Sequence, residues 1–282
     1  MTLFDESERR IWSGRARAYG DSFAKLCAYP VERLLDAAGV RAGTRVLDVG
    51  TGTGTVAVAA CARGAKVSAV DAEPGMVDMA GRAAPSAEVR VAALPALPFA
   101  DEEFDAVAAN FVLNHVGRPR EALAELRRVT RPGGRVAVTI WASPPAPGQA
   151  LLGRAIQAAG VPRPSYLPAL ASEDDFPRTE QGLTDLIASA GLAEPAGETL
   201  SWNHRTGIEE WWSGPAAGVA TIGQIVISQT PEVQADIKRQ LETLSAEFTD
   251  PDGFLQLPHI ALMASGRAKP AALGRQRPPR PA

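Results

Sequence analysis

Short apolar segments alternate with helical patterns along the middle of this chain. The apolar segments have the length and composition of strands, and they cover residues 45–49, 66–70, 88–92, 104–109 and 134–140. The helices between them begin near Thr55, Pro74 and Pro119, the last two with proline in a first-turn position that suits it. Strands that alternate with helices indicate a parallel sheet covered by helices on both faces. The sequence therefore predicts an α/β fold.

Helical and irregular segments surround this core. Residues 5–38 carry helical periodicity, and Gly39 is placed to end the last helix. Residues 143–181 are rich in proline and predict short helical pieces, and a helix is predicted over 182–190. Two more strands are predicted at 196–203 and 257–265, separated by roughly fifty residues that include a helical run at 231–248. Because this connection is unusually long, we expect an inserted helical cap.

The chain thus divides into four segments. Residues 1–40 form a predicted helical lid, and residues 41–142 form the core. Residues 143–267 supply the cap and the last strands within the same domain. Residues 268–282, rich in proline and arginine, are predicted to be disordered.

Composition narrows the class of protein. The 282 residues carry a net charge of −3, which gives no electrostatic reason to expect binding to nucleic acid. The two cysteines, Cys27 and Cys61, form no disulfide framework and no metal-ligand spacing, so no metal is expected. The first ten residues are charged, and no apolar run approaches the ~20 residues that would cross a bilayer. We expect a cytoplasmic enzyme without a membrane partner.

The most informative segment is Val46-Leu47-Asp48-Val49-Gly50-Thr51-Gly52-Thr53-Gly54, a buried strand that runs into a glycine-rich turn. Glycine permits a sharp turn and a close approach of the backbone to a ligand. The helix that follows directs its free N–H groups toward that turn. The next apolar strand ends in Asp71, and a carboxylate at that point can accept both hydroxyls of a ribose. The pair predicts a nucleoside cofactor.

Two cofactor classes share this plan. Gly52-x-Gly54-x-x-Ala57 followed by Asp71 also satisfies the dinucleotide fingerprint. A short-chain reductase, however, needs a tyrosine with a lysine four residues later. The tyrosines here are followed at that spacing by Phe23, Arg33 and Leu170. Hydride transfer is therefore disfavoured.

Four motifs in order resemble those of class I S-adenosylmethionine (SAM) methyltransferases, particularly the UbiE/type-11-like enzymes that act on small molecules. The motifs, all within residues 41–141, are Asp48-x-Gly-x-Gly-x-Gly, Val70-Asp71-Ala72-Glu73-Pro74-Gly75-Met76, Leu97-Pro98-Phe99 with Phe104-Asp105, and Arg131-Pro132-Gly133-Gly134. The resemblance implies SAM as cofactor. It also implies a Rossmann-like, mostly parallel sheet of seven strands, with the sixth and seventh strands antiparallel at one edge.

The resemblance assigns cofactor contacts residue by residue. Those contacts are Gly50, Thr51, Gly52 and Gly54 at the methionine and ribose, Asp71 at the ribose, Ala72, Met76, Ala93 and Leu94 around the adenine, Asn110, Phe111 and His115 beside the sulfonium, and Trp12 and Tyr19 in the lid. Ala93 departs from the family pattern, which often has an aspartate for the adenine amino group at this position. Asp48 has two interpretations of equal weight: it binds the cofactor's ammonium through water, or it only holds the loop backbone.

Two histidines are candidate general bases. His115 follows the fourth strand, and a histidine can accept a proton near neutral pH as the methyl group transfers. The alternative for His115 is a histidine bonded to backbone at a helix start. His204 is a weaker candidate, with Trp202, Trp211 and Trp212 as either walls of an acceptor pocket or anchors of the cap. His259 lies in an apolar run and is expected in the core.

We therefore expect a SAM-dependent methyltransferase that acts on O, N or C of a small molecule, in secondary metabolism. The alternative is a SAM-binding protein without methyl transfer, either cyclase-like or regulatory, on the same fold. The sequence leaves open the acceptor, the acceptor atom, the use of a general base and the oligomeric state.

Overall fold

A seven-stranded sheet organises the molecule, in a computed structural model that describes residues 1–269. The strands are β1 (Arg45–Val49), β2 (Lys66–Asp71), β3 (Glu88–Val91), β4 (Phe104–Asn110), β5 (Thr130–Trp141), β6 (Leu192–Thr206) and β7 (Leu255–Ala268). They lie in the order β3-β2-β1-β4-β5-β7-β6. The first five strands are parallel, and β7 runs antiparallel between β5 and β6. The predicted fold class is confirmed.

The last two strands are longer than the sequence pattern predicts. Residues 196–203 and 257–265 lie within β6 and β7, but β6 begins at Leu192 and β7 continues to Ala268. Pro195 and Gly197 weaken the strand signal at the start of β6, and the chain passes them with a register shift between Ala193 and Ala196. Residue 268, assigned to the tail by the sequence, is therefore the end of a strand. The rest of the predicted tail, from residue 270, lies outside the described residues.

Twelve helices of the described chain surround the sheet. They are α1 (Leu3–Trp12), α2 (Ala16–Asp21), α3 (Ala24–Ala28), α4 (Val31–Ala37), α5 (Thr55–Ala62), α6 (Pro74–Ala83), α7 (Pro119–Val129), α8 (Pro147–Ala158), α9 (Glu180–Ser189), α10 (Ile208–Ala216), α11 (Ala220–Ile227) and α12 (Pro231–Ser245). One 3-10 turn covers Leu113–His115, and another covers Ala246–Phe248. The helix α8 is a full helix, although the sequence predicted only short pieces there. It forms because Pro147 is its first residue and no other proline lies within it.

Three apolar clusters hold these layers together. On one face of the sheet, Leu34 of α4 and Ala57 of α5 pack with Val46. On the other face, Leu123 of α7 and Leu183 of α9 pack with Leu47. A third cluster joins the cap to the amino-terminal helices. Its members include Ile11, Leu26, Leu151, Trp211, Ile237, Leu241 and Leu257. The lid and cap therefore share one core above the sheet.

Candidate functional site

A cavity of about 930 Å³ lies at the carboxyl ends of the parallel strands, under the lid and cap. Ligands of open α/β sheets bind at this edge. Most of the residues that the sequence assigned to the site line this cavity. They are Trp12, Tyr19, Gly50, Gly52, Asp71, Ala72, Met76, Ala93, Leu94, Asn110, Phe111 and His115. Asp48, Thr51, Gly54 and His204 do not line it.

The glycines of the loop after β1 share a backbone conformation but serve different purposes. Gly50, Gly52 and Gly54 all have positive φ, at 66°, 55° and 94°. A Cβ on Gly54 would lie 2.9 Å from the Cα of Ala80 in α6, so this glycine allows two helices to pack. A Cβ on Gly52 would meet only the Tyr19 ring, at 3.4 Å, on the cavity side. Gly52 therefore leaves bare backbone beside the cavity, which suits a closely bound cofactor.

Asp71 ends β2 at the floor of the cavity. Its Oδ2 accepts a hydrogen bond from the Gly52 N–H at 2.9 Å, and its Oδ1 accepts one from the Glu73 N–H at 3.0 Å. Burial raises the pKa of Asp71 above its ordinary value. The carboxylate is thus fixed against the glycine loop, at the position where the resemblance expects a ribose ligand.

Asp48 lies behind the loop. It is fully buried, and its Oδ2 accepts a hydrogen bond from the Thr51 hydroxyl at 2.6 Å. Burial raises the pKa of Asp48 to about 7. Asp48, Thr51 and Gly54 do not line the cavity, and their expected cofactor contacts stay predictions. Asp48 holds the loop through the Thr51 hydroxyl, while its Oδ1 is buried without a hydrogen-bond partner among residues 1–269.

The expected adenine side of the cavity is apolar. Met76, which is 3% exposed, faces it from α6, and Ala92, Ala93 and Leu94 face it from the segment after β3. The structure places no carboxylate side chain at these three positions. A polar contact to the adenine there has to come from backbone groups or from a side chain elsewhere in the wall, such as Glu73.

The loop after β4 is held in an unusual conformation. Phe111 has φ of 60°, which costs a non-glycine residue free energy. Its N–H donates to the carbonyl oxygen of Thr139 at 3.1 Å and to the Thr139 hydroxyl at 2.9 Å. Its ring stacks on Trp141 with centroids 4.0 Å apart. These contacts present the Phe111 ring to the cavity.

Asn110 connects this loop to the lid. Its Oδ1 accepts a hydrogen bond from the Thr139 hydroxyl at 2.6 Å, and its Nδ2 donates to the carbonyl oxygen of Cys27 at 2.8 Å. The side chain is therefore engaged with the protein on both ends. It stands in the cavity wall and ties α3 to β4.

His115 is paired with a residue that sequence analysis missed. Its Nδ1 lies 2.8 Å from Oε2 of Glu8, whose side chain is only 9% exposed. The Trp12 ring packs edge-on against the imidazole with centroids 5.2 Å apart. The spacing of Asp5, Glu8 and Trp12, which places them on one face of α1, is the signal that would have pointed to this contact.

The lid docks beside that pair. Asp5 Oδ1 accepts a hydrogen bond from the Gly117 N–H at 2.6 Å. A Cβ on Gly117 would lie 2.0 Å from the Thr2 hydroxyl, so only glycine permits this approach. The amino terminus of α1 is therefore fixed to the segment that carries His115.

The remainder of the cavity is lined mainly by aromatic and aliphatic side chains. They include Phe23, Trp141, Leu152, Trp211 and Ile222. Trp202 and Trp212, proposed as walls beside Trp211, do not line the cavity. His259 is 2% exposed, as expected for a core residue, yet it forms part of the cavity wall.

His204, the second candidate base, does not line the cavity. It is 2% exposed and packs against Tyr29 and Trp211 behind the wall. Burial lowers its pKa. Its neighbours Trp211 and His259 line the cavity, whereas His204 itself does not.

Neither a metal site nor a membrane span is found in the part of the chain that the structure describes. No group of three or more histidine, cysteine or acidic side chains among residues 1–269 is arranged to hold a metal ion. None of the helices within these residues is long and apolar enough to cross a membrane.

Comparison with known proteins defines the class. The model of a family described as a methyltransferase domain matches residues 47–138. The demethylmenaquinone methyltransferase of Mycobacterium sp. (strain KMS) is 36% identical over 61% of this chain and 75% of its own length. Another from Renibacterium salmoninarum is 42% identical over 39% of this chain. This protein belongs to the class I SAM-dependent methyltransferases, whose cofactor is SAM.

The matches differ in length. The alignment spans 47% of the Renibacterium salmoninarum enzyme, about half of that relative. An uncharacterised protein of Mycobacterium tuberculosis is 29% identical over 83% of this chain and 85% of its own length. Among solved structures, the YcgJ protein of Bacillus subtilis has a TM-score of 0.55, with 19% identity over 86% of this chain and 99% of its own. The cyclase SpnF has a TM-score of 0.50, with 17% identity over 88% of this chain and 83% of its own. These two structures show the shared fold.

Proposed function

We propose that this protein transfers the methyl group of SAM to an oxygen, nitrogen or carbon atom of a small molecule, with His115 as the general base. The observation that carries the proposal is that Asp71 and the His115–Glu8 pair line one cavity between the cofactor loop and an aromatic chamber. SAM, when bound, supplies an activated methyl group.

The residues of the chain fit the cofactor. Gly52 leaves space beside the loop, and Asp71 offers carboxylate oxygens to two ribose hydroxyls. Met76 and Leu94 form an apolar surface on which the adenine of SAM can lie. Phe111 and Trp141 form a wall that orients a second molecule and excludes water, and alignment and dehydration supply much of the rate in methyl transfer.

Glu8 sets the role of His115. A carboxylate only accepts hydrogen bonds, so its contact with Nδ1 places the imidazole proton on that atom. In the neutral form of the ring, the Nε2 atom then carries no proton and is able to take one from the acceptor. Glu8 acts as a positioning residue, since it works through His115.

The substrate named for the relatives does not carry over directly. The acceptor chamber draws on residues from Phe23 to His259, a span of 237 positions, whereas the alignment with the demethylmenaquinone methyltransferase of Mycobacterium sp. (strain KMS) covers 175. A segment of that length cannot include the whole chamber. The proposal therefore extends to a small-molecule acceptor and no further.

The first experiment is calorimetric titration with SAM. We expect saturable binding that Asp71→Ala weakens at least tenfold, about 1.4 kcal/mol. Asp78→Ala, on the exposed side of α6, is the matched control and should leave the affinity unchanged. The absence of SAM binding, or equal affinity in both variants and the parent, would overturn the proposal.

The second experiment separates methyl transfer from mere cofactor binding. The release of S-adenosylhomocysteine is measured with a panel of hydroxylated and aminated aromatic compounds. His115→Gln should keep SAM affinity and lose turnover by about 10²–10⁴-fold. His204→Gln, outside the cavity wall, is the matched control. Normal SAM binding without turnover on any acceptor would favour the non-methylating alternative.

A further inference from the structure

Two polar side chains lie together at the far, aromatic end of the cavity. His259 is on β7 and Gln149 is on α8, and both line the cavity wall. The backbone N–H of Ile260, the residue after His259, donates to Gln149 Oε1 at 3.4 Å. The two side chains are therefore held side by side by the same strand.

The hydrogen-bonding roles of these side chains are fixed by backbone groups. His259 Nδ1 lies 2.9 Å from the carbonyl oxygen of Leu257, and a carbonyl only accepts, so Nδ1 carries the proton. Burial lowers the pKa of His259 to about 4, so the ring is neutral at pH 7. Its Nε2 is then an acceptor. No residue within 1–269 hydrogen-bonds to this Nε2 atom. It is also not one of the fully buried side-chain atoms that lack a partner, so a ligand in the cavity can reach it.

Gln149 offers the complementary group. Because Oε1 faces the Ile260 N–H, the amide orientation is set and Nε2 is left as a donor. Within the described residues this Nε2 has no hydrogen-bond partner. One acceptor and one donor side by side match a hydroxyl group, which donates one hydrogen bond and accepts another.

The surroundings indicate what carries that hydroxyl. Trp141 and Trp211 flank His259, with ring centroids 6.0 Å and 5.7 Å away. Trp141 stacks in turn on Phe111, in the loop that leads to His115. The charged side chain that α8 adds to this wall, Arg154, is paired with Glu247 at 2.6 Å. The chamber thus suits an uncharged, flat ring system.

We propose that His259 and Gln149 form a specificity subsite that binds a neutral hydroxyl group of an aromatic acceptor. The hydroxyl donates to His259 Nε2 and accepts from Gln149 Nε2. The inference rests on the proposed function, since it assigns the aromatic chamber to the methyl acceptor. A carboxylate is disfavoured here because the Nε2 lone pair would face its negative charge.

The test compares 2-naphthol with 2-methoxynaphthalene, which has the same ring but no hydroxyl proton. Binding is followed by quenching of tryptophan fluorescence at pH 7 with saturating S-adenosylhomocysteine. We expect 2-naphthol to bind at least tenfold more tightly, because the ether leaves His259 Nε2 unpaired. His259→Phe should reduce this ratio to about one. His204→Phe, which changes a buried histidine outside the wall, should preserve it.

Further variants test the separate roles of His259 and Gln149. His259→Gln restores an acceptor near the same place and should recover part of the preference. Gln149→Leu removes a donor that the oxygen atoms of both probes can accept from, so it should weaken the binding of both probes and leave the preference for 2-naphthol. Equal binding of the two probes by the parent protein, a preference that survives His259→Phe, or no binding of either probe would overturn the subsite. SAM binding is measured separately, so such a failure would leave the proposed function standing.

Discussion

At the residue scale, the same backbone conformation serves different purposes in different glycines. Gly43 and Gly54 both have positive φ, at 79° and 94°. A Cβ on Gly43 would meet nothing within 4 Å, whereas one on Gly54 would collide with the backbone of α6. A substitution at Gly43 therefore measures backbone strain alone, whereas one at Gly54 measures strain together with the loss of helix packing.

Gly43→Ala should lower the free energy of unfolding by about 1–2 kcal/mol, the cost of a left-handed conformation for alanine. Gly54→Ala should cost a further ~1–3 kcal/mol because Ala80 has to move. Urea denaturation of both variants measures the difference. Equal losses would mean that α5 and α6 shift apart without cost.

Asp48 makes stability depend on pH. Burial raises its pKa in the folded protein to about 7, from 3.8 in the unfolded chain, so the folded state binds more protons between these values. Its contribution to stability is thus complete below pH 3.8 and is lost as the pH rises through 7.

Asp48→Asn removes this titration. As the pH rises from 5 to 8, the variant should gain roughly 2.6 kcal/mol of stability relative to the parent, at 1.36 kcal/mol per pKa unit. Thermal or urea unfolding of both proteins at the two pH values measures the change. A variant with the same pH dependence as the parent would show that Asp48 ionises normally.

At the element scale, α1 is docked through one face, which carries three contacts to a single segment. Asp5 binds the Gly117 N–H, Glu8 pairs with His115, and Trp12 packs on the same imidazole. The contacts that dock α1 are therefore the same contacts that orient His115, the proposed base.

Gly117→Ala should undock the lid, since the added Cβ would lie 2.0 Å from the Thr2 hydroxyl. We expect faster tryptic cleavage after Arg9 and Arg10, and a loss of turnover in the methyl-transfer assay. Gly81→Ala, which meets nothing within 4 Å and lies outside the cavity wall, is the control. Unchanged cleavage kinetics in Gly117→Ala would contradict the role of this contact.

At the scale of the whole molecule, the cap is interwoven with the sheet. The helices α10 to α12 lie between β6 and β7, which pair along their length. The fully buried Leu241 of α12 belongs to the cluster that also contains Ile11 of the lid and Leu257 of β7. This arrangement supports the prediction that lid, core and cap form one domain.

Leu241→Ala should lower the global free energy of unfolding by about 2–5 kcal/mol. Far-ultraviolet circular dichroism and tryptophan fluorescence should still report one coincident transition. Two separated transitions would show that the cap unfolds independently of the sheet.

The sequence by itself determined the core and the cofactor end of the site. The alternation of apolar strands and helices predicted the parallel sheet, and Gly52 and Asp71, which follow two adjacent strands, lie together as that sheet requires. These features are local or follow from the rule that ligands bind at the carboxyl ends of parallel strands. Each of these patterns is contained in a short stretch of sequence, so it can be recognised without knowledge of the tertiary contacts.

The tertiary structure alone decided the partners of the site. Glu8 and His115 lie 107 positions apart, and Gln149 and Ile260 lie 111 apart, so no local pattern connects them. The sequence favoured His204 as a candidate base and placed His259 in the core. On the paired strands Trp202 lies opposite His259 and His204 opposite Leu257, so both histidines are on the same face of the sheet. Only His259 lines the cavity, and the sequence does not reveal this because the cavity wall is built by contacts between distant segments.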